Sequence, residues 1–150
     1  MAKHNKAAAC VIGVGAALFV VDAAVKRTRR KRLAGQVVLI TGGSRGFGLA
    51  LAREFASLGC RIALCARDDG ELNRAKRILA DEGYEVLTIA CDVSNRDAIT
   101  DAVIAITRDC GRIDILVNNA GEIAVSPFEN LEIGDFGRAM AVMFWGMLHA

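Results

Sequence analysis

"TGGSRGFG", residues 41–48, decides how the rest of this chain is read. It follows a β-branched run, "QVVLIT" at 36–41. It precedes "FGLALAREFASLG" at 47–59, whose apolar residues fall at helical spacing and which closes on Gly59. A buried strand, a glycine-rich turn and a helix in that order make a cradle for phosphate. N–H groups at the helix start face the anion, and the helix dipole favours it. Gly42 lets the chain turn sharply, Gly46 lets backbone approach a pyrophosphate, and Gly48 lets the helix pack close to the sheet. Ser44 and Arg45 add a hydroxyl and a positive charge.

The same alternation continues outward. "RIALCA" (61–66) reads as a second strand and "DDGELNRAKRILADEG" (68–83) as an amphipathic helix. "YEVLTIACDV" (84–93) reads as a third strand. "SNRDAITDAVIAITRDCG" (94–111) reads as a helix capped by Ser94, with Asp97 three residues on. "RIDILVNNAG" (112–121) is a fourth strand and turn, and 126–150 is a loop or short helix running into a longer helix. Strand and helix alternating with short joints predict an α/β fold with helices on both faces of a parallel sheet. Right-handed crossovers give the first half of a doubly wound sheet, in the order 3-2-1-4.

Candidate ligand groups gather at the carboxyl ends of these strands. Arg67 ends the second strand, where an acid would hold ribose hydroxyls and an arginine suits a 2′-phosphate. Arg45 is a second clamp for the same phosphate. Both favour NADP(H) over NAD(H). Asp68 follows directly, and either serves as that acid or starts the next helix. Asp92 accepts from an adenine amino group or caps the following turn. Asn118 and Asn119 suit bonds to neighbouring backbone, and Gly121 leaves room for a cofactor.

T-G-x-x-x-G-x-G after the first strand, D-V after the third and N-N-A-G after the fourth together resemble the classical short-chain dehydrogenase/reductase family, over about residues 35–150. The resemblance implies a Rossmann-type fold with a nicotinamide dinucleotide as hydride carrier. It implies phosphate binding by Gly42, Ser44, Arg45, Gly46, Phe47 and Gly48, and a 2′-phosphate at Arg67. It assigns Asp92 and Val93 to adenine, and Asn119, Ala120 and Gly121 to the cofactor ribose. It also implies a small carbonyl or alcohol substrate, and pairing of copies through late helices. Two departures stand out. Where the family has V-N-x-x-G, this chain has Val142-Met143-Phe144-Trp145-Gly146, and Met143 cannot usefully bond a relay water. The family's catalytic serine and Y-x-x-x-K have no counterpart in the 150 residues. No catalytic residue is therefore assigned. The apolar, uncapped ending reads as the cofactor-binding N-terminal part of a longer enzyme.

Residues 1–32 read as a separate segment, and 33–150 as the dinucleotide-binding domain. Ala7–Val25 carries Asp22 as its only charge and, as a helix, would span roughly 28 Å, about one hydrocarbon core. "KRTRRKR" follows, so a membrane anchor with the body facing the cytoplasm is expected; a soluble cytoplasmic protein is the alternative. "GVGAAL" at 13–18 lacks the third glycine and the preceding strand, so it is not a second cradle. Residues 1–32 hold eight basic groups and one acid. The remainder holds eleven basic and sixteen acidic groups, a net of −5, which disfavours nucleic acid as a partner. The five cysteines form no C-x-x-C pair, and the two histidines lie at opposite ends, so no metal site is expected. The alternatives to an oxidoreductase are a non-catalytic dinucleotide-binding protein and a membrane-tethered interaction module.

Overall fold

The computed structural model describes Thr28 and residues 32–150. The apolar run Ala7–Val25 lies outside the described residues. Among those described, no helix is long and apolar enough to cross a membrane. The chain divides into two compact units, residues 1–34 and 35–150.

The elements of the second unit run β1 (Val37–Thr41), α1 (Gly46–Ser57), β2 (Arg61–Ala66), α2 (Asp69–Asp81), β3 (Val86–Ala90), α3 (Arg96–Cys110), β4 (Ile115–Asn118), a single 3-10 turn (Phe128–Asn130) and α4 (Ile133–Met140). A π-helical turn (Ala141–Trp145) then leads into α5 (Gly146–His149). The four strands are parallel, in the order β3-β2-β1-β4. This is the Rossmann-like order that the alternation predicts.

The strand period of two explains both layers. Val38 and Ile40 of β1 point to one face and pack with Ala52 of α1 and Leu72, Ala75 and Leu79 of α2. Val37 and Leu39 point to the other and pack with Ile99, Ala102 and Ile106 of α3. The handedness of crossovers accounts for this division. From β1 to β3 the chain steps one way across the sheet, so α1 and α2 share a face. The return to β4 reverses direction and puts α3 opposite. Leu39, Ile40, Leu64, Leu72, Ile99 and Ile106 are fully buried. Each such side chain contributes roughly 1.5–3 kcal/mol through removal from water.

Three local expectations are corrected. The cap of α3 is Asn95, whose side-chain oxygen accepts from the N–H groups of Asp97 and Ala98, and not Ser94. Ser94 is held one turn earlier, because both its N–H and its hydroxyl donate to Asp92 Oδ1. β3 is shorter than 84–93, since Tyr84 still donates to Leu79 at the end of α2 and the chain turns at Asp92. β4 is shorter than 112–121, since Asn119 leaves the strand to bond Thr41.

The C-terminal segment is less covered. Among the described residues β4 pairs with β1 alone. Phe136, Met140, Met143, Phe144 and Trp145 are exposed, with the last two rings edge to face at 5.1 Å. Val142 points inward and joins the α3 face of the core.

Candidate functional site

The strand order creates the site. β1 lies between β2 and β4, so the chain leaves β1 to one side and returns on the other. A crevice opens beyond the carboxyl ends of the strands at such a reversal. There a cavity of about 580 Å³ is lined by the glycine turn, the ends of β2 and β3, and the turn after β4. Its lining contains Gly42, Ser44, Arg45, Phe47, Gly48, Arg67, Asp92, Val93, Asn119, Ala120 and Gly121 of the sequence candidates, and lacks Gly46 and Asn118.

The turn is built around close backbone approach. Gly42 has φ +66°, and a Cβ there would lie 2.8 Å from Ala120 Cα. At Gly48 a Cβ would lie 2.3 Å from the Gly42 carbonyl oxygen and 2.5 Å from Asn119 Nδ2. Only glycine allows the helix start, the β1 turn and the β4 turn to meet there. Gly46, with φ +54°, occupies a left-handed conformation with open space where its Cβ would be. No side chain caps the N-terminus of α1, and its first turn holds no acid. The helix end thus presents uncompensated donors and the positive end of its dipole. Phe47 is exposed and lines the cavity within that first turn.

The asparagine after β4 is a fastener. Asn119 Nδ2 donates to the Thr41 and Gly42 carbonyls at 3.1 and 2.9 Å. Thr41 Oγ1 accepts from the backbone N–H groups of Asn119 and Ala120, both at 3.1 Å. The side chain thus takes the backbone-bonding role, leaving Ala120 and Gly121 to line the cavity. Asn118 is exposed and does not line it.

Asp92 caps the turn after β3 through Oδ1, which accepts from the Ser94 hydroxyl and N–H at 2.8 and 2.9 Å. Asp68 likewise starts a helix: its side chain accepts the Glu71 N–H at 2.8 Å at the N-cap of α2. Val93 is buried and faces the far end of the chain. A Cβ on Gly146 would lie 2.8 Å from Val93 Cγ2, and His149 Nδ1 lies 3.2 Å from the Val93 carbonyl oxygen. The glycine of Val142–Gly146 therefore serves close packing, while Met143 is exposed on the π turn.

Sequence reading passed over two carboxylates. Glu71 accepts from the Ser44 hydroxyl at 3.0 Å and pairs with Arg45 at 3.2 Å. Glu122 pairs with Arg67 at 2.9 Å. Both are charged residues on polar stretches, and no spacing rule links them to arginines so far away in the chain. Cys65 also meets Cys91, which lines the cavity: its thiol lies 3.9 Å from the Cys91 carbonyl oxygen. The hydrogen bond to Cys91, and then burial, push the Cys65 thiol well above its ordinary value.

Residues 36–150 match the family described as short chain dehydrogenase. A tropinone reductase homolog of Arabidopsis thaliana is 39% identical over 123 residues, covering 80% of this chain and 45% of that protein. The crystal structure of NAD+-bound xylitol dehydrogenase superposes with a TM-score of 0.73 at 34% identity, over 78% of this chain and 45% of that one. L-sorbose reductase from Gluconobacter frateurii, complexed with NADPH and L-sorbose, gives 0.71 at 32% identity, over 77% and 44%. The chain thus spans less than half the length of each of these relatives.

Proposed function

This chain belongs to the short-chain dehydrogenase family, and on that premise we propose that its folded unit binds NADP(H), as the cofactor-holding part of an oxidoreductase acting on a small carbonyl or alcohol. The observation that carries the cofactor reading is the direction of charge at the end of β2. Asp68, the residue that could have held ribose hydroxyls, is engaged at the α2 N-cap. Arg67 and Arg45 line the same cavity. A guanidinium pair suits a 2′-phosphate and an acid suits bare ribose.

The residues present fit such a dinucleotide. The space a Cβ would fill at Gly48 is taken by backbone, and the α1 N-terminus has no side-chain cap. In this reading the donors at Gly46, Phe47 and Gly48 hold the diphosphate, with Gly42 keeping the turn tight. Ser44, Arg45 and Arg67 hold the 2′-phosphate. Asp92 and Val93 border adenine, and Asn119, Ala120 and Gly121 border the ribose. When bound, the nicotinamide supplies or accepts a hydride. The chain's single tyrosine, Tyr84, lies before the amino-terminal end of β3, whereas the cavity lies beyond the carboxyl ends, and it does not line the cavity, so proton transfer is not assigned to it.

Titration of Trp145 fluorescence or calorimetry with NADPH and NADH tests the reading. Arg67→Asp should shift preference toward NADH by about tenfold, the order expected when a charge-assisted hydrogen bond gives way to a repulsion. An unchanged preference overturns the NADP(H) assignment.

The segment before the folded unit carries a separate part of the proposal, from sequence alone. Ala7–Val25, backed by the basic run at 26–32, acts as a membrane anchor that keeps the folded unit on the cytoplasmic side. Recovery of the full chain from washed membranes only with detergent supports this, and release by carbonate overturns it.

A further inference from the structure

Every side chain assigned to the 2′-phosphate is already held by a carboxylate. Glu71 spreads its two oxygens over Ser44 and Arg45, at 3.0 and 3.2 Å. Glu122 holds Arg67 at 2.9 Å from beyond the β4 turn. The two acids thus already accept from the groups that would bond a phosphate's oxygens. The charge of the cavity sharpens the point. Its lining sets two guanidinium groups, Arg45 and Arg67, against three carboxylates, Asp68, Glu71 and Asp92. A dianionic phosphate arriving there meets no spare positive charge.

We propose that Glu71 and Glu122 are specificity-determining residues: internal counter-ions that a 2′-phosphate must displace, and that lower the chain's preference for NADP(H) over NAD(H). The proposal rests on the cofactor reading above. NAD(H) lacks the 2′-phosphate that competes for these arginines, so it leaves both ion pairs in place. NADP(H) exchanges each carboxylate–guanidinium pairing for a phosphate–guanidinium pairing, and so gains only the difference.

The two acids are displaced at unequal cost. Glu122 has a second cation within reach: its other oxygen lies 3.8 Å from Arg138 Nε on α4, an arginine that also pairs with Asp135. When phosphate takes Arg67, Glu122 moves to Arg138. Glu71 gives up both a guanidinium and a hydroxyl, so it is the stronger brake.

Glu71→Gln and Glu122→Gln test this. Glutamine keeps the volume, and at position 71 it keeps an acceptor for Ser44. The Kd values for NADPH and NADH are measured on the full chain for wild type, both single variants and the double variant. The ratio of the NADH value to the NADPH value should rise about two- to fivefold in each single variant, the scale of one exposed ion pair. It should rise more for Glu71→Gln than for Glu122→Gln, and most in the double variant. An unchanged or lower ratio in variants that still bind NADPH overturns the proposal and leaves the cofactor reading standing. If wild type and variants alike bind neither dinucleotide, the cofactor reading fails and this proposal falls with it.

Discussion

Thr41 and Asn119 bond each other in both directions across the β1–β4 seam: Thr41 Oγ1 accepts the Asn119 backbone N–H, and Asn119 Nδ2 donates to the Thr41 carbonyl, each at 3.1 Å. The threonine is 2% exposed, so its hydroxyl has little water to fall back on. Thr41→Val keeps the shape and removes the acceptor, stranding the N–H groups of Asn119 and Ala120. We expect a loss of about 1–3 kcal/mol, read as a lower urea midpoint with unchanged slope. The same variant should weaken dinucleotide binding, because the turn after β4 loses its anchor.

Gly48→Ala tests the cradle. The added methyl would sit 2.3 Å from the Gly42 carbonyl oxygen, so α1 must move away from the turn. Overpacking of this kind costs typically 1–3 kcal/mol. Calorimetry should show at least tenfold weaker binding of NADPH and of NADH alike, because the displaced donors serve the diphosphate common to both. A variant that binds as wild type would remove the α1 N-terminus from the site.

The Cys65 thiol gives a pH dependence with a definite sign. Its value is raised in the folded chain by the bond to Cys91 and by burial, above the ordinary 9.0 it regains on unfolding. The same bond shifts Cys91 the other way, so what the pair keeps is burial, which raises both thiols; that contribution is fully present below the ordinary 9.0 and declines as pH rises beyond it, because the unfolded chain then releases a proton the folded chain keeps. Urea midpoints between pH 7 and 10 should fall across the upper part of that range. Cys65→Ala should flatten the fall, at a constant cost from the poorer packing. In the native chain Cys65, with no exposed surface, should resist a thiol-alkylating reagent that modifies half-exposed Cys60 and Cys110.

Gly146→Ala probes the seam between the last helix and the β3–α3 turn. Its methyl would meet Val93 Cγ2 at 2.8 Å and the Val93 carbonyl oxygen at 3.3 Å. The helix must shift outward, carrying Trp145 and His149 with it. A loss of about 1–3 kcal/mol and a change in Trp145 emission are expected. Retained stability with unchanged emission would mean that the seam yields without strain.

Much of this protein was legible from local sequence, because the signals are local. Four apolar runs end in short polar or glycine turns, and helical spacing fills the gaps between them, so chain connectivity and handedness leave little freedom for the sheet order. The phosphate turn was readable because Gly42, Gly46 and Gly48 stand close together in the chain, between a strand and a helix. The boundaries that shifted did so where a side chain has two partners to choose from. Asn95 took the α3 cap once Ser94 was drawn to Asp92, and that competition is decided in three dimensions.

Only the tertiary structure could bring Glu71 to Ser44 and Arg45, or Glu122 to Arg67, the latter pair 55 residues apart. It alone bonded Asn119 to the β1 turn, 77 residues earlier in the chain. The physical reason is that hydrophobic period and turn chemistry act over a few residues, whereas an ion pair is chosen by which charges the folded backbone sets within about 4 Å of each other.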